Sequence, residues 1–423
     1  MIASSIGAGL PAFALSQQHL HRAVLTYALR IGPRYEAEGT AGISHFLEHM
    51  LHRGTKRLPT AHAQAVAVEA LGGSLDAMTG VDHGTLTLTC PPESFEAAAE
   101  LLGEIVAAPI FSEIDVERGI VREELLEDRD ERGRLIDPDG VARNALFGDH
   151  PLGFPIVGTL RTLASFDESL LRRHHTRHYT TASAVVTAAG RLPPKARLSK
   201  ILSRAFAAQP PGKPVRAPAF RRAPTAPSLR VVRSPASQVA VRVACLGPGR
   251  RHTSEAATEL LLRVIDDGTS TRLYETLCDR LGLCYEVSAA WEAYDEVGLF
   301  DIAAEAQDEA VPRVLEELFS MMRSLADRGP TPAEIDKALK RSRWLAERAQ
   351  DQPELAAEEL ATSALTGAPR SPAEKHRRIA SLTAADVKRA ARRVFDPRRV
   401  TVALVGPVSR ASERRARTLL GLD

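Results

Sequence analysis

The segment Gly42-Ile43-Ser44-His45-Phe46-Leu47-Glu48-His49-Met50-Leu51 constrains this chain more than any other. At about 100° of rotation per residue, Ile43, Phe46, Leu47, Met50 and Leu51 fall on one side of a helix and His45, Glu48 and His49 on the other. The apolar stripe demands a core to cover it, and the polar face carries a His-x-x-Glu-His pattern. Histidines four residues apart can place two imidazole nitrogens on one Zn²⁺. The intervening acid is then near enough to take a proton from an attacking water. The outline is that of a hydrolase site. The alternative is a solvated face holding two histidines by chance, a match expected in about three of a hundred chains of this composition.

The surrounding residues carry a resemblance. Gly42 to Thr55, Gly-Ile-Ser-His-Phe-Leu-Glu-His-Met-Leu-His-Arg-Gly-Thr, resembles the signature of the pitrilysin and insulysin metallopeptidases, the inverzincins. Leu71-Gly-Gly-Ser-Leu-Asp-Ala77 and Ala145-Leu-Phe-Gly148 look most like the short-chain branch that includes the mitochondrial-processing-peptidase type. The resemblance implies one Zn²⁺ per chain, with His45 and His49 as metal ligands and Glu48 as general base. It also implies an endopeptidase whose two bowl-like halves close around peptides or unfolded segments. Each half would be an α+β unit, a mostly antiparallel sheet covered by helices.

Composition narrows the alternatives. Fifty-five basic against fifty-three acidic side chains give a net charge of +2, so no bulk attraction to nucleic acid or an anionic membrane is expected. Gly268-Thr-Ser-Thr271 is a poor phosphate loop. The four cysteines, Cys90, Cys245, Cys278 and Cys284, show no paired zinc-ribbon spacing and suit a reducing, cytoplasmic compartment as free thiols. The N-terminal stretch lacks a basic n-region and is broken by Gly7, Gly9 and Pro11, so Leu10 to Leu15 is expected as a strand rather than part of a signal peptide. No stretch reaches the roughly 20 consecutive apolar residues a transmembrane helix needs.

Along the chain, Ala23 to Ile31 alternates as a strand and Ala61 to Leu71 reads as a helix stopped by Gly72-Gly73. Ser74 to Ala77 opens an extended run that resumes at Thr85 to Thr89. The resemblance makes the Asp76-Ala77-Met78-Thr79 region an edge strand beside the zinc, where substrate adds as a further strand. The family usually has Asn where this chain has Asp76. Helices are expected over Pro92 to Ala107, Ser112 to Asp128 and Ser165 to His174. Glu117, Ile120, Val121 and Glu124 share one face of the second, and a carboxylate on a half-apolar stripe is costly unless a cation compensates it. The family places its third zinc ligand near this distance from the motif, seven residues after a characteristic Glu. That implies Glu124 as the ligand and Glu117 as the acid orienting another ligand. His174, His175 and His178 stand beside arginines and are expected on a solvated helix end. Ala184 to Ala189 is a strand closing the first half.

Gln209 to Pro227 is rich in Pro, Ala and Arg and reads as a linker. The expected domains are a catalytic zinc-binding domain at 1–207, a linker at 208–228 and a homologous domain at 229–423. Ala364-Leu-Thr-Gly367 echoes Ala145-Leu-Phe-Gly148, and Pro330-Thr-Pro-Ala-Glu-Ile-Asp336 echoes Pro109-Ile-Phe-Ser-Glu-Ile-Asp115. Aligning Gly247-Pro248 with Gly32-Pro33 sets Leu260, Arg263 and Val264 opposite the motif, so the second half has no metal site of this type. In the family the second half supplies an Arg and a Tyr, seven residues apart, that hold the substrate. Here Tyr285 is present as a substrate-binding candidate, but Cys278 stands at the Arg position and offers neither charge nor donors. Two further readings follow. The chain pairs with a homologous subunit bringing an intact Arg and Tyr, or with a second copy of itself; or it is a non-catalytic partner in a peptidase-like heteromer. The substrate class left open includes biosynthetic precursor peptides, such as that of pyrroloquinoline quinone.

Overall fold

The computed structural model describes residues 1–221 and 223–423. It divides by contact into two units, Met1–Leu125 with Phe154–Pro218 and Ala346–Glu374, and Leu126–Gly153 with Ala219–Leu345 and Lys375–Asp423.

The sheet of the first unit is built from β1 (Ile2–Ile6), β2 (Leu10–Ser16), β3 (Ala23–Leu29), β4 (Ser74–Thr79), β5 (Gly84–Cys90) and β6 (Ala184–Gly190), in the order β1-β2-β6-β3-β5-β4. Only the β2–β6 pair is parallel. The extended run expected from Ser74 is a hairpin, closed where Gly80 N–H meets the His83 carbonyl at 2.8 Å, and it leaves β4 as a sheet edge.

The second sheet contains β7 (Ser228–Arg233), β8 (Val239–Pro248), β9 (Val287–Ala293), β10 (Val297–Ala306) and β11 (Val400–Gly406), in the order β7-β11-β8-β10-β9 with β7–β11 parallel. Set aside β1, and the two orders are the same element for element. The mostly antiparallel α+β duplication expected from the sequence echoes is therefore present in the topology.

Both faces of β3 are buried, because its side chains alternate between two covers. Leu25, Tyr27 and Leu29 face a core filled by α1 (Ile43–Leu51), α2 (Ala61–Glu69) and α3 (Phe95–Ala107), with Phe46, Leu102 and Ile105 fully buried in it. Val24 and Ala28 face the other way, onto the helix Pro353–Leu365, which presents Ala356, Ala357, Ala361 and Ala364. Small residues let that helix lie close, and Thr187 Oγ1 donates to the Ala357 carbonyl at 2.8 Å.

After α4 (Ile114–Glu127), the chain places α5 (Pro138–Phe147) on β7, β8 and β11 of the second unit. Asp137 caps α5 by accepting the Gly140 N–H, and Pro138 stands in its first turn. The helices α5 and Pro353–Leu365 thus each pack on the sheet of the other half. The contact units depart at these two segments from the contiguous 1–207 and 229–423 expected from the sequence.

Candidate metal centre

The helix α1 begins at Gly42, whose φ of 89° is a left-handed value that glycine adopts without strain. A Cβ there would stand 2.6 Å from the Gly158 Cα. The buried carboxylate of Glu36 accepts the Gly42 N–H at 2.7 Å and the Ser44 N–H at 2.9 Å, satisfying free donors at the positive end of the helix. Burial pushes the Glu36 carboxyl up to about 7 against the pull of the Ser44 and Gly42 hydrogen bonds. Ile43, Phe46, Leu47, Met50 and Leu51 are each at most 1% exposed, and their burial fixes the rotation of α1 about its axis.

That rotation brings two imidazoles together. His45 Nε2 lies 3.3 Å from His49 Nε2, and the Glu124 carboxylate on α4 reaches them at 3.4 Å and 3.7 Å. These three residues form the only such donor group among the described residues, all ligand atoms lying within 4.8 Å of one another. A tetrahedral ion with bonds of about 2.0–2.1 Å spaces its ligands by about 3.3–3.4 Å, so the spacing fits zinc. His45 supports the fit, since burial, with His49 second, lowers its pKa to about 4 and keeps the ring neutral and able to ligate.

Glu117 acts on the other side of His49. Its Oε1 accepts His49 Nδ1–H at 2.7 Å, while Arg53 Nε pairs with Oε2. This bond fixes the tautomer that leaves the His49 Nε2 lone pair for a metal. Burial alone would lower His49, but the Glu117 carboxylate, with Glu48 and Glu124, outweighs it and raises the pKa. Ile120, expected on the same stripe as Glu117, is 49% exposed; the buried side of α4 consists of Glu117, Val121 and Leu125.

Glu48, half-buried and one residue from His49, accepts a hydrogen bond from Thr79 Oγ1 at the end of β4. Burial raises the Glu48 carboxyl, and the Thr79 bond works against that rise. The sequence puts Thr79 in the edge-strand region but gives it no role at Glu48, since nothing in its spacing marks that partner. Along β4, Asp76 and Met78 are exposed while Ala77 packs against the core. Tyr285 belongs to the second unit, 92% exposed and just before β9; Cys278 lies in a one-turn π-helix, Glu275–Arg280.

The histidines near the end of the helix Glu168–His178 are not solvated. His178 is fully buried with Nδ1 2.8 Å from the Arg30 carbonyl, His175 Nε2 is 2.9 Å from the Val106 carbonyl and His174 Nε2 is 3.1 Å from Ser44 Oγ. Opposite the motif in the second half, Leu260 and Val264 are core residues, and Arg263 pairs with Glu259 at 3.0 Å and Asp267 at 3.4 Å.

The sequence profile described as Insulinase (Peptidase family M16) matches residues 13–159, and that described as Peptidase M16 inactive domain matches residues 165–342. The chain belongs to peptidase family M16. An uncharacterised zinc protease of Rickettsia bellii is 26% identical to this M16 chain over 408 residues, 96% of this chain and 97% of the relative. Another, of Mycobacterium leprae, is 29% identical over 314 residues, 72% of this chain and 68% of the relative. The crystal structure of a peptidase M16 inactive domain from Pseudomonas fluorescens matches with a TM-score of 0.87 at 21% identity, covering 96% of this chain and 98% of that one. A protease from Helicobacter pylori matches at 0.87 with 18% identity, covering 96% and 99%. These two establish the M16 fold. His45, His49 and Glu124 all fall within the first profile match. No helix among the described residues is long and apolar enough to cross a membrane.

Proposed function

We infer that this M16 chain is a zinc-dependent endopeptidase acting on peptides or unfolded segments. The observation that carries the reading is the convergence of His45 Nε2, His49 Nε2 and the Glu124 carboxylate beside Glu48. His45, His49 and Glu124 would hold the ion. The chemistry that zinc supplies at such a site is polarisation of the scissile carbonyl and acidification of water.

The protein's own groups do the rest. Glu48 takes the proton of the attacking water and returns it to the leaving amine, and Thr79 orients its carboxylate. Glu117, braced by Arg53, keeps His49 turned toward the ion. The unpaired edge of β4 offers backbone groups to an extended chain. The zinc proteases of Rickettsia bellii and Mycobacterium leprae support the class of reaction.

Zinc content and hydrolysis of an unstructured peptide library, read by mass spectrometry with and without chelator, test the reading. About one zinc per chain and chelator-sensitive cleavage are expected; a zinc-loaded chain that cleaves nothing would favour the non-catalytic role. A library containing cofactor-precursor peptides also tests the precursor substrate class.

Cys278 favours a second reading beside the first. Without an arginine at that position the chain lacks one substrate-holding group, and a homologous subunit would provide it. Co-purification of such a paralogue, with activity rising on mixing, is the expected result, and full activity of the single chain unimproved by Cys278→Arg would exclude it.

A further inference from the structure

The net charge of +2 conceals a segregation. Residues 375–423 hold thirteen Lys and Arg against four Asp and Glu, which leaves residues 1–374 with forty-two against forty-nine. Folding gathers the excess on one side of the second unit. There the helices Val311–Asp327, Ala384–Val394 and Arg410–Leu420 bury their apolar sides in a single core, where Leu315, Leu318, Val387 and Ala416 join Val243 and Phe300 of the sheet. The first of the three touches both others. Arg392 Nε donates to the Ala326 carbonyl at 2.8 Å, and Arg415 Nη2 donates to Glu316 Oε1 at 2.6 Å.

The outer side of this layer is short of acids. Six carboxylates stand on the three helices and the turn before β11, and five are already engaged. Arg313 pairs with Glu316 and Glu317, Arg389 with Asp386, Arg398 with Asp396, and Arg233 and Arg417 with Glu413, leaving Asp327. Arg323, Arg328, Arg392, Arg393, Arg410 and Arg414 are exposed, and none of them pairs with a carboxylate among the described residues. All six are arginines, whose fork of donors matches phosphate oxygens. Packed helices stand about 8–10 Å apart, so the six are spread across a broad face rather than strung along one groove. The three helices expose no large apolar side chain. The face therefore has no ring on which the bases of a single strand could stack, and no wedge to enter hydrocarbon. A field of phosphate headgroups meets it without either.

We propose that this arginine-rich helical layer docks the protein on an anionic phospholipid surface, held at headgroup depth by charge alone. The docking needs neither zinc nor peptide hydrolysis, so it stands apart from the peptidase reading.

Co-sedimentation of the full-length chain with vesicles tests it. Equimolar phosphatidylcholine–phosphatidylglycerol vesicles should carry the protein down and pure phosphatidylcholine vesicles should not. Chelator should leave binding unchanged. Sodium chloride at about 1 M, where the screening length is about 3 Å, should release the protein. Arg393→Gln, Arg410→Gln and Arg414→Gln should each weaken partitioning by about fivefold, and together by about a hundredfold. The control is an equal loss of charge from the exposed Lys195, Lys200 and Lys213 of the first unit, each changed to Gln, which should leave binding near the wild-type level. Circular dichroism melts check that both triple variants keep the fold. Absence of binding to the anionic vesicles, equal binding to pure phosphatidylcholine, or an equal loss in the lysine control overturns the proposal. A chain that shifts duplex DNA or captures an acidic peptide while leaving the vesicles unbound gives the face to another polyanion, and likewise overturns it.

Discussion

Glu117 Oε1 accepts a hydrogen bond from His49 Nδ1 at 2.7 Å, although the two residues come from different helices. Its work is to aim an imidazole. Glu117→Gln keeps the shape but weakens the acceptor, and should lower zinc affinity by about 10- to 100-fold in competition with a chromophoric chelator. Glu124→Gln, which alters a proposed ligand, should lose more; equal zinc content in both variants and the wild type would refute the ligand assignment.

Thr79 should matter to Glu48 in a pH-dependent way. The Thr79 hydrogen bond stabilises the ionised carboxylate, so Thr79→Val removes a force that lowers the Glu48 pKa. The acid limb of the pH–rate profile should therefore move to higher pH, with a loss of about tenfold at its lower end. Glu48→Gln should cost on the order of 10²-fold or more at every pH while zinc content stays the same.

Gly42→Ala tests how the centre is built. The added methyl meets the Gly158 backbone at a left-handed φ, and about 2 kcal/mol or more of stability should be lost in urea unfolding. Zinc should be bound less tightly in the variant, because the N-terminus of α1 sets where His45 lies.

In the second unit, Asp301 on β10 is half-buried, its buried Oδ1 has no partner among the described residues, and Arg242 Nε is 3.8 Å from Oδ2. Burial pushes its carboxyl up to about 7, against the pull of Arg242. The folded state therefore holds a proton that the unfolded chain releases near pH 4, and stability from this group is lost as pH rises from about 4 through about 7. Asp301→Asn should flatten that fall, gaining stability relative to wild type at pH 8 but not at pH 4 in thermal melts.

The sequence by itself determined the local parts of this protein. A 3.6-residue period placed Ile43, Phe46 and Met50 against a core and turned His45, Glu48 and His49 together, because neighbours on one helical turn are fixed by chain geometry alone. The same locality made the strands and the duplication readable, and the resemblance pointed to Glu124.

Tertiary structure decided what depends on partners distant in the chain. The helices α5 and Pro353–Leu365 each cover the sheet of the other half of the sequence, and an apolar helix face does not name the sheet it will cover. The arginines around His174, His175 and His178 suggested solvent, but the Arg30 and Val106 carbonyls that bond to two of these rings come from the residue after β3 and from α3. Thr79 could be matched to Glu48 only once β4 was the edge strand running beside α1. A hydrogen bond needs both its groups in one place, and sequence spacing sets that place only within a single element.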